Sequence, residues 1–180
     1  MYFVDFVKNL IKKNNRGVLI WLIINSILVA CLLGKAFGGG VTGYALGVVI
    51  YVAILALSLS PLGESILRWQ NGCEEITRKE YLDRIMPLFN EVFSQAKTEN
   101  SEIPDDVQIY MVDSDVPNAF ATGRKTVCIT KGLLHYPEQQ IKAVLAHEFG
   151  HLAHKDTDAI LIIAVGNLLV STVFIILVIV

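Results

Sequence analysis

Residues 147–151 read His-Glu-Phe-Gly-His. On a helix, positions i and i+4 stand one turn apart on the same face, so the imidazoles of His147 and His151 can converge on one metal ion. Glu148 lies beside them, placed to take a proton from water activated by that metal. This is the donor set of zinc-assisted peptide hydrolysis. His154 shares the same face but lies about 10 Å from His147 along the axis, too far to complete a tetrahedral site. It reads as a surface or supporting residue. Asp156 has two readings: a carboxylate that orients a metal-holding imidazole, or a surface residue at the end of the helix. His135 reads as solvent-exposed.

A helix must carry this pattern, and residues 137–155 supply it. Pro137 suits a first helical position, Glu138 suits the positive end of the dipole, and Ile141, Val144, Leu145 and Leu152 recur at helical spacing. Upstream, residues 74–100 read as one amphipathic helix, bent or broken at Pro87. Residues 107–112 (VQIYMV) and 126–130 (TVCIT) alternate as strands. Pro117 bars residues 113–123 from a central strand, so this stretch is an irregular or edge segment. Residues 131–136 read as a helical turn.

The rest of the chain is a different material. Of 180 residues, 53% are hydrophobic and only 18% charged, against roughly 25% charged in an ordinary soluble domain. The excess falls in three uncharged runs, at about 17–34, 41–62 and 159–180. Each approaches or exceeds the roughly 20 residues that cross a bilayer core. A retained anchor fits the first run better than a signal peptide, since no small-residue cleavage site follows it. The glycine-rich stretch 34–40 makes the first two spans an antiparallel hairpin. Lys8, Lys12, Lys13 and Arg16 precede the hairpin, and Arg68, Arg78, Lys79 and Arg84 follow it. The excess of positive charge puts both sides in the cytoplasm. The expected organisation is therefore an N-terminal segment and hairpin over 1–62, a soluble cytoplasmic domain over 63–158, and a third span over 159–180. Asn25 and Asn167 inside the spans read as hydrogen-bonding groups between helices. No ionisable group stands at mid-span, which weakens a channel or carrier. Fifteen basic residues against seventeen acidic ones leave no excess for nucleic acid. Cys31, Cys73 and Cys128 form no CxxC pair and read as three reduced thiols.

Three segments resemble one family. Residues 115–123 (DVPNAFATG), 127–134 (VCITKGLL) and 143–156 (AVLAHEFGHLAHKD) are similar to the HtpX heat-shock proteases, relatives of the CAAX prenyl endopeptidases. The likeness extends to two spans before the soluble segment and one directly after it. It implies an α+β membrane protein: three transmembrane helices with a small, mainly helical, zincin-like metalloprotease domain that carries a short β-sheet. It further implies a multi-pass protein of the cell (inner or plasma) membrane with its active site toward the cytoplasm. Zn2+ would be the cofactor, His147 and His151 the ligands, and Glu148 the general base. Asn118, Ala119 and Phe120 would line the cleft as a substrate-binding edge strand. On local sequence alone, Asn118 reads equally well as a turn residue after Pro117.

The expected function is thus a zinc endopeptidase that cuts membrane or misfolded proteins in envelope quality control, with the lipid bilayer as its second partner. Nothing in the sequence sets an oligomeric state. The alternative is a catalytically incomplete membrane interaction module of the same architecture. In the family the third ligand is a glutamate well downstream, beyond a fourth span. The expectation is that these 180 residues belong to a longer protein, and that alone they hold zinc weakly and hydrolyse little. Only residues 152–158 separate His151 from the third run, so the site is expected close to the bilayer surface.

Overall fold

The computed structural model describes residues 6, 8, 16–155 and 157–179. The chain divides into two compact units, 1–63 with 161–180, and 64–160. It is mostly helical, with one small three-stranded sheet and three helices long and apolar enough to cross a membrane.

In the first unit, α1 (Arg16–Ala36) and α2 (Gly40–Ser58) form the hairpin, joined by a turn in which Gly38, Gly39 and Gly40 take positive φ. The helices touch through small residues. A Cβ on Gly47 would stand 2.7 Å from the backbone nitrogen of Gly34, so nothing larger than hydrogen fits that crossing, as is common between helices in lipid. Tyr51 donates to Asn25 Oδ1 across the hairpin at 3.0 Å, which is the interhelical role expected of Asn25. Asn167 is exposed. The second span ends at Ser58, four residues short of the end of the apolar run. Ser60 and Pro61 end it and open a new helix, α3 (Pro61–Gln70). The third span is α6 (Thr157–Leu161), a π-helical turn over Ile162–Gly166, and α7 (Asn167–Ile179).

The second unit is built on α4 (Lys79–Glu99), α5 (Glu138–His154), and strands β1 (Gln108–Val112), β2 (Ala119–Thr122) and β3 (Thr126–Thr130). The sheet order is β1-β3-β2, with β1 parallel and β2 antiparallel to β3. β3 is therefore central, and all five of its residues are buried. β2 is an edge strand, as Pro117 just before it requires. Helix α4 begins five residues later than residue 74. Residues 75–78 instead carry no regular structure, and Glu74 is paired to Met111 through two backbone hydrogen bonds of 2.8 and 2.9 Å. A backbone bridge to a strand edge overrode the apolar spacing there. The helix then continues through Pro87 without a break. Pro137 occupies the N-cap of α5 rather than its first helical position. Residues 131–135 form the expected helical turn.

The sequence expectation of three free thiols is overturned. Cys73 and Cys128 are joined in a disulfide with Cα atoms 6.3 Å apart, and only Cys31 is free. The cause is topological. Glu74 pairs with Met111, and Tyr110 stands opposite Cys128 in the sheet, so Cys73 is delivered onto β3 from 55 residues away. A spacing of that length carries no local signal. The bond is checked by thiol labelling. The chain unfolded without reductant takes one maleimide, at Cys31, and three after reduction. Three labels without reductant would contradict the pairing.

Candidate active site

Helix α5 reaches its place by packing an apolar face on the sheet and on α4. Ile141, Leu145 and Phe149 are fully buried and Leu152 nearly so. Phe149 meets Phe89 and Phe93, with ring centroids 5.4 and 5.6 Å away. The neighbouring face then carries the polar motif. His147 is exposed and His151 half-buried. Their rings meet edge to face with centroids 4.7 Å apart, and their Nε2 atoms lie 3.2 Å from each other. Two nitrogens at tetrahedral zinc, each bonded at 2.0–2.1 Å, stand about 3.3 Å apart. The imidazole pair therefore fits that metal as two of its ligands. Among the described residues no group of three or more His, Cys, Asp and Glu could hold a metal. His154 turns to the backbone, its Nδ1 2.7 Å from Gly150 O. His135 is exposed. Asp156 lies outside the described residues.

Glu148, beside the imidazole pair on the helix, is 6% exposed. Its Oε2 accepts a hydrogen bond from the Ala121 backbone N–H at 2.8 Å. This bond joins the motif helix to edge strand β2. The cleft beside it is lined by Ala119, Phe120, Ala121, Glu148, His151 and Thr157. Of the three residues expected on the substrate edge, Ala119 and Phe120 thus face the cleft. Asn118 does not stand among the lining residues. Its N–H donates to Thr130 Oγ1 and its C=O accepts from Thr130 N–H, so its backbone is committed to β3. Alternation then turns Ala119 and Ala121 outward, which is why Ala121 N–H can reach Glu148.

The turn between β2 and β3 is tied down by buried polar groups that the sequence did not single out. Arg124 Nε and Nη2 donate to Asp158 Oδ1 and Oδ2 at 2.8 and 2.6 Å, with both side chains buried. Thr157 donates to Gly123 O. Glu64 accepts from Lys125 N–H at 2.8 Å and from Thr126 Oγ1 at 2.9 Å. Gly123 has φ 67°, and a Cβ there would fall 2.3 Å from the Glu64 side chain. Thr157 and Asp158, the first two residues of α6, are thus both engaged with this turn. Lys125 also donates to Asp106, whose carboxyl this bond holds below its ordinary value.

Helix α5 thus sets two converging imidazoles and a carboxylate beside edge strand β2. The family model for peptidase family M48 matches residues 85–180, and the chain belongs to that family. Its curated relatives include a Protease HtpX homolog of Listeria innocua, 30% identical over 83% of this chain and 44% of the relative. One of Thermoplasma acidophilum is 32% identical over 67% of this chain and 41% of the relative. Protease HtpX of Legionella pneumophila is 28% identical over 66% and 42%. The chain spans about half the length of the curated relatives it matches. No solved structure matches it. The HtpX resemblance carried by residues 115–156 therefore holds across most of the chain.

Proposed function

We propose that this chain acts in a zinc-dependent membrane endopeptidase that hydrolyses peptide bonds in membrane or misfolded proteins. The observation that carries the reading is the 3.2 Å separation of His147 Nε2 and His151 Nε2 on the helix whose Glu148 is seated against β2. His147 and His151 hold the metal in this reading. Zinc, when bound, supplies Lewis-acid polarisation and brings the pKa of water toward neutrality. Glu148 takes the proton from the attacking water and returns it to the leaving amine. The outward backbone of Ala119 at the β2 edge, with the Phe120 side chain beside it in the cleft, receives an extended peptide as an added strand, whatever its side chains.

Flanking Lys and Arg place the soluble unit on the cytoplasmic face in this reading. The Cys73–Cys128 bond points the other way, since disulfides are rare in a reducing cytosol. Thiol labelling in whole cells, with a reagent excluded by the membrane, tests it: the soluble unit stays unlabelled after mild reduction if it faces the cytoplasm.

The test of the zinc reading is a metal titration of the chain in detergent, with elemental analysis of zinc retained. His147→Ala and His151→Ala each lower zinc affinity at least about tenfold, with helix content preserved. Equal zinc retention by the parent and both variants overturns the ligand assignment. Zinc bound by the parent without cleavage of casein, in membranes expressing its own gene, selects the non-catalytic module instead.

A further inference from the structure

Helix α3 (Pro61–Gln70) has two unlike faces. It opens with a side-chain cap, Ser60 Oγ accepting from Gly63 N–H at 3.3 Å, and Pro61 in the first turn, where its missing N–H costs nothing. The inward face grips the sheet. Glu64, 2% exposed, accepts from Lys125 N–H and Thr126 Oγ1. Leu67 is 3% exposed. Arg68 donates to Thr126 Oγ1 at 3.1 Å and lies over the Tyr110 ring at 4.9 Å. The outward face is Leu62, Ile66 and Trp69, at i, i+4 and i+7, hence one stripe about 10 Å long. Leu62 is 56% exposed and Trp69 77%, while Ile66 is half-buried.

An exposed tryptophan at the end of an apolar stripe gains nothing in water. The chain itself names the occupant. The second candidate span ends at Ser58, and α3 begins three residues later, so its first turn is covalently held at the end of a membrane helix. Tryptophan favours the bilayer interface, where its ring is apolar and its N–H is wet. An amphipathic helix of this kind lies in the interface plane with its apolar face a few ångströms into the boundary of headgroups and acyl chains. We propose that the Leu62–Ile66–Trp69 face of α3 lies in the bilayer interface, so that one helix rests on lipid with its outer face and holds the β2–β3 turn with its inner face. The proposal goes beyond the peptidase reading and does not depend on it.

The chain has two tryptophans, Trp21 and Trp69, so Trp21→Phe leaves Trp69 as the sole reporter. The full chain in phosphatidylcholine vesicles should show Trp69 emission blue-shifted from that of the unfolded chain. Lipids brominated high on the acyl chain should quench about half of it, and lipids brominated near the chain ends much less. Solvent-like emission quenched by acrylamide but not by brominated lipid overturns the proposal. Blue-shifted emission that brominated lipid leaves untouched also overturns it, and assigns the face to a second copy or another protein. If Trp21→Phe disturbs folding, the emission lost between the parent and Trp69→Phe gives the same spectrum by difference.

Discussion

The Glu148→Gln chain, expressed from its own gene in membranes, should cleave an unfolded protein substrate about 10²–10⁴-fold more slowly than the parent. Its zinc content and helix content should not change. The structure gives this substitution a clean interpretation. Glu148 Oε2 does one structural job, accepting the Ala121 N–H at 2.8 Å in a buried place. A glutamine oxygen accepts the same bond with the same side-chain length. What glutamine cannot do is take a proton from water. Glu148→Ala is a poorer test, because it also strands the Ala121 N–H inside the protein, at a cost of about 1–3 kcal/mol. The two variants should therefore separate: both slow, but only the alanine variant destabilised. A glutamine variant that cleaves at near the parent rate would remove Glu148 from the chemistry and leave it as a tie between α5 and β2.

The parts of this site that could be read in the sequence are those whose geometry is local. His147 and His151 face the same way because they are four residues apart on a helix, and no tertiary information is needed. The spans are equally legible, since a bilayer selects on length and composition. The strands at 107–112 and 126–130 show their alternation in the residues themselves. What escaped is long-range. Nothing near Cys73 points to Cys128, and nothing near Arg124 points to Asp158, 34 residues away. The same holds for Ala121, whose partner depends on which edge of β2 faces α5. The misplaced start of α4 has the same origin. Residues 74–78 carry helical spacing, yet the exposed edge of β1 offered Glu74 two backbone hydrogen bonds. Asn118 stands on the substrate edge by resemblance, yet its backbone is committed to Thr130 of β3, a pairing that no local spacing announces.

Arg124→Met should be the most destabilising single change at the β2–β3 turn, by about 3–5 kcal/mol. The reason is what it leaves behind. Asp158 has its side chain 3% exposed and takes both of its bonds from the Arg124 guanidinium. Without that partner a carboxylate stays buried and uncompensated. Asp158→Leu alone should also destabilise, because it takes two carboxylate bonds from a buried guanidinium. The double variant Arg124→Met/Asp158→Leu removes both charges and fills the space with apolar groups of similar size. Such replacements are often close to neutral, so the double variant should be more stable than either single one. Arg124→Lys should not rescue, because an ammonium cannot make two parallel bonds to one carboxylate. The comparison is read from denaturant midpoints in detergent, followed by Trp69 emission in the Trp21→Phe background. Single losses under about 1 kcal/mol, or single losses that simply add in the double variant, would show that the pair is not coupled. Coupling of the expected sign would also bear on the site. Arg124 is three residues from Ala121, on the turn that Glu64, Thr157 and Asp158 all hold. Loosening that turn frees the edge strand against which Glu148 is seated, so the single variants should lose activity at temperatures where they are still folded, and the double variant should regain it.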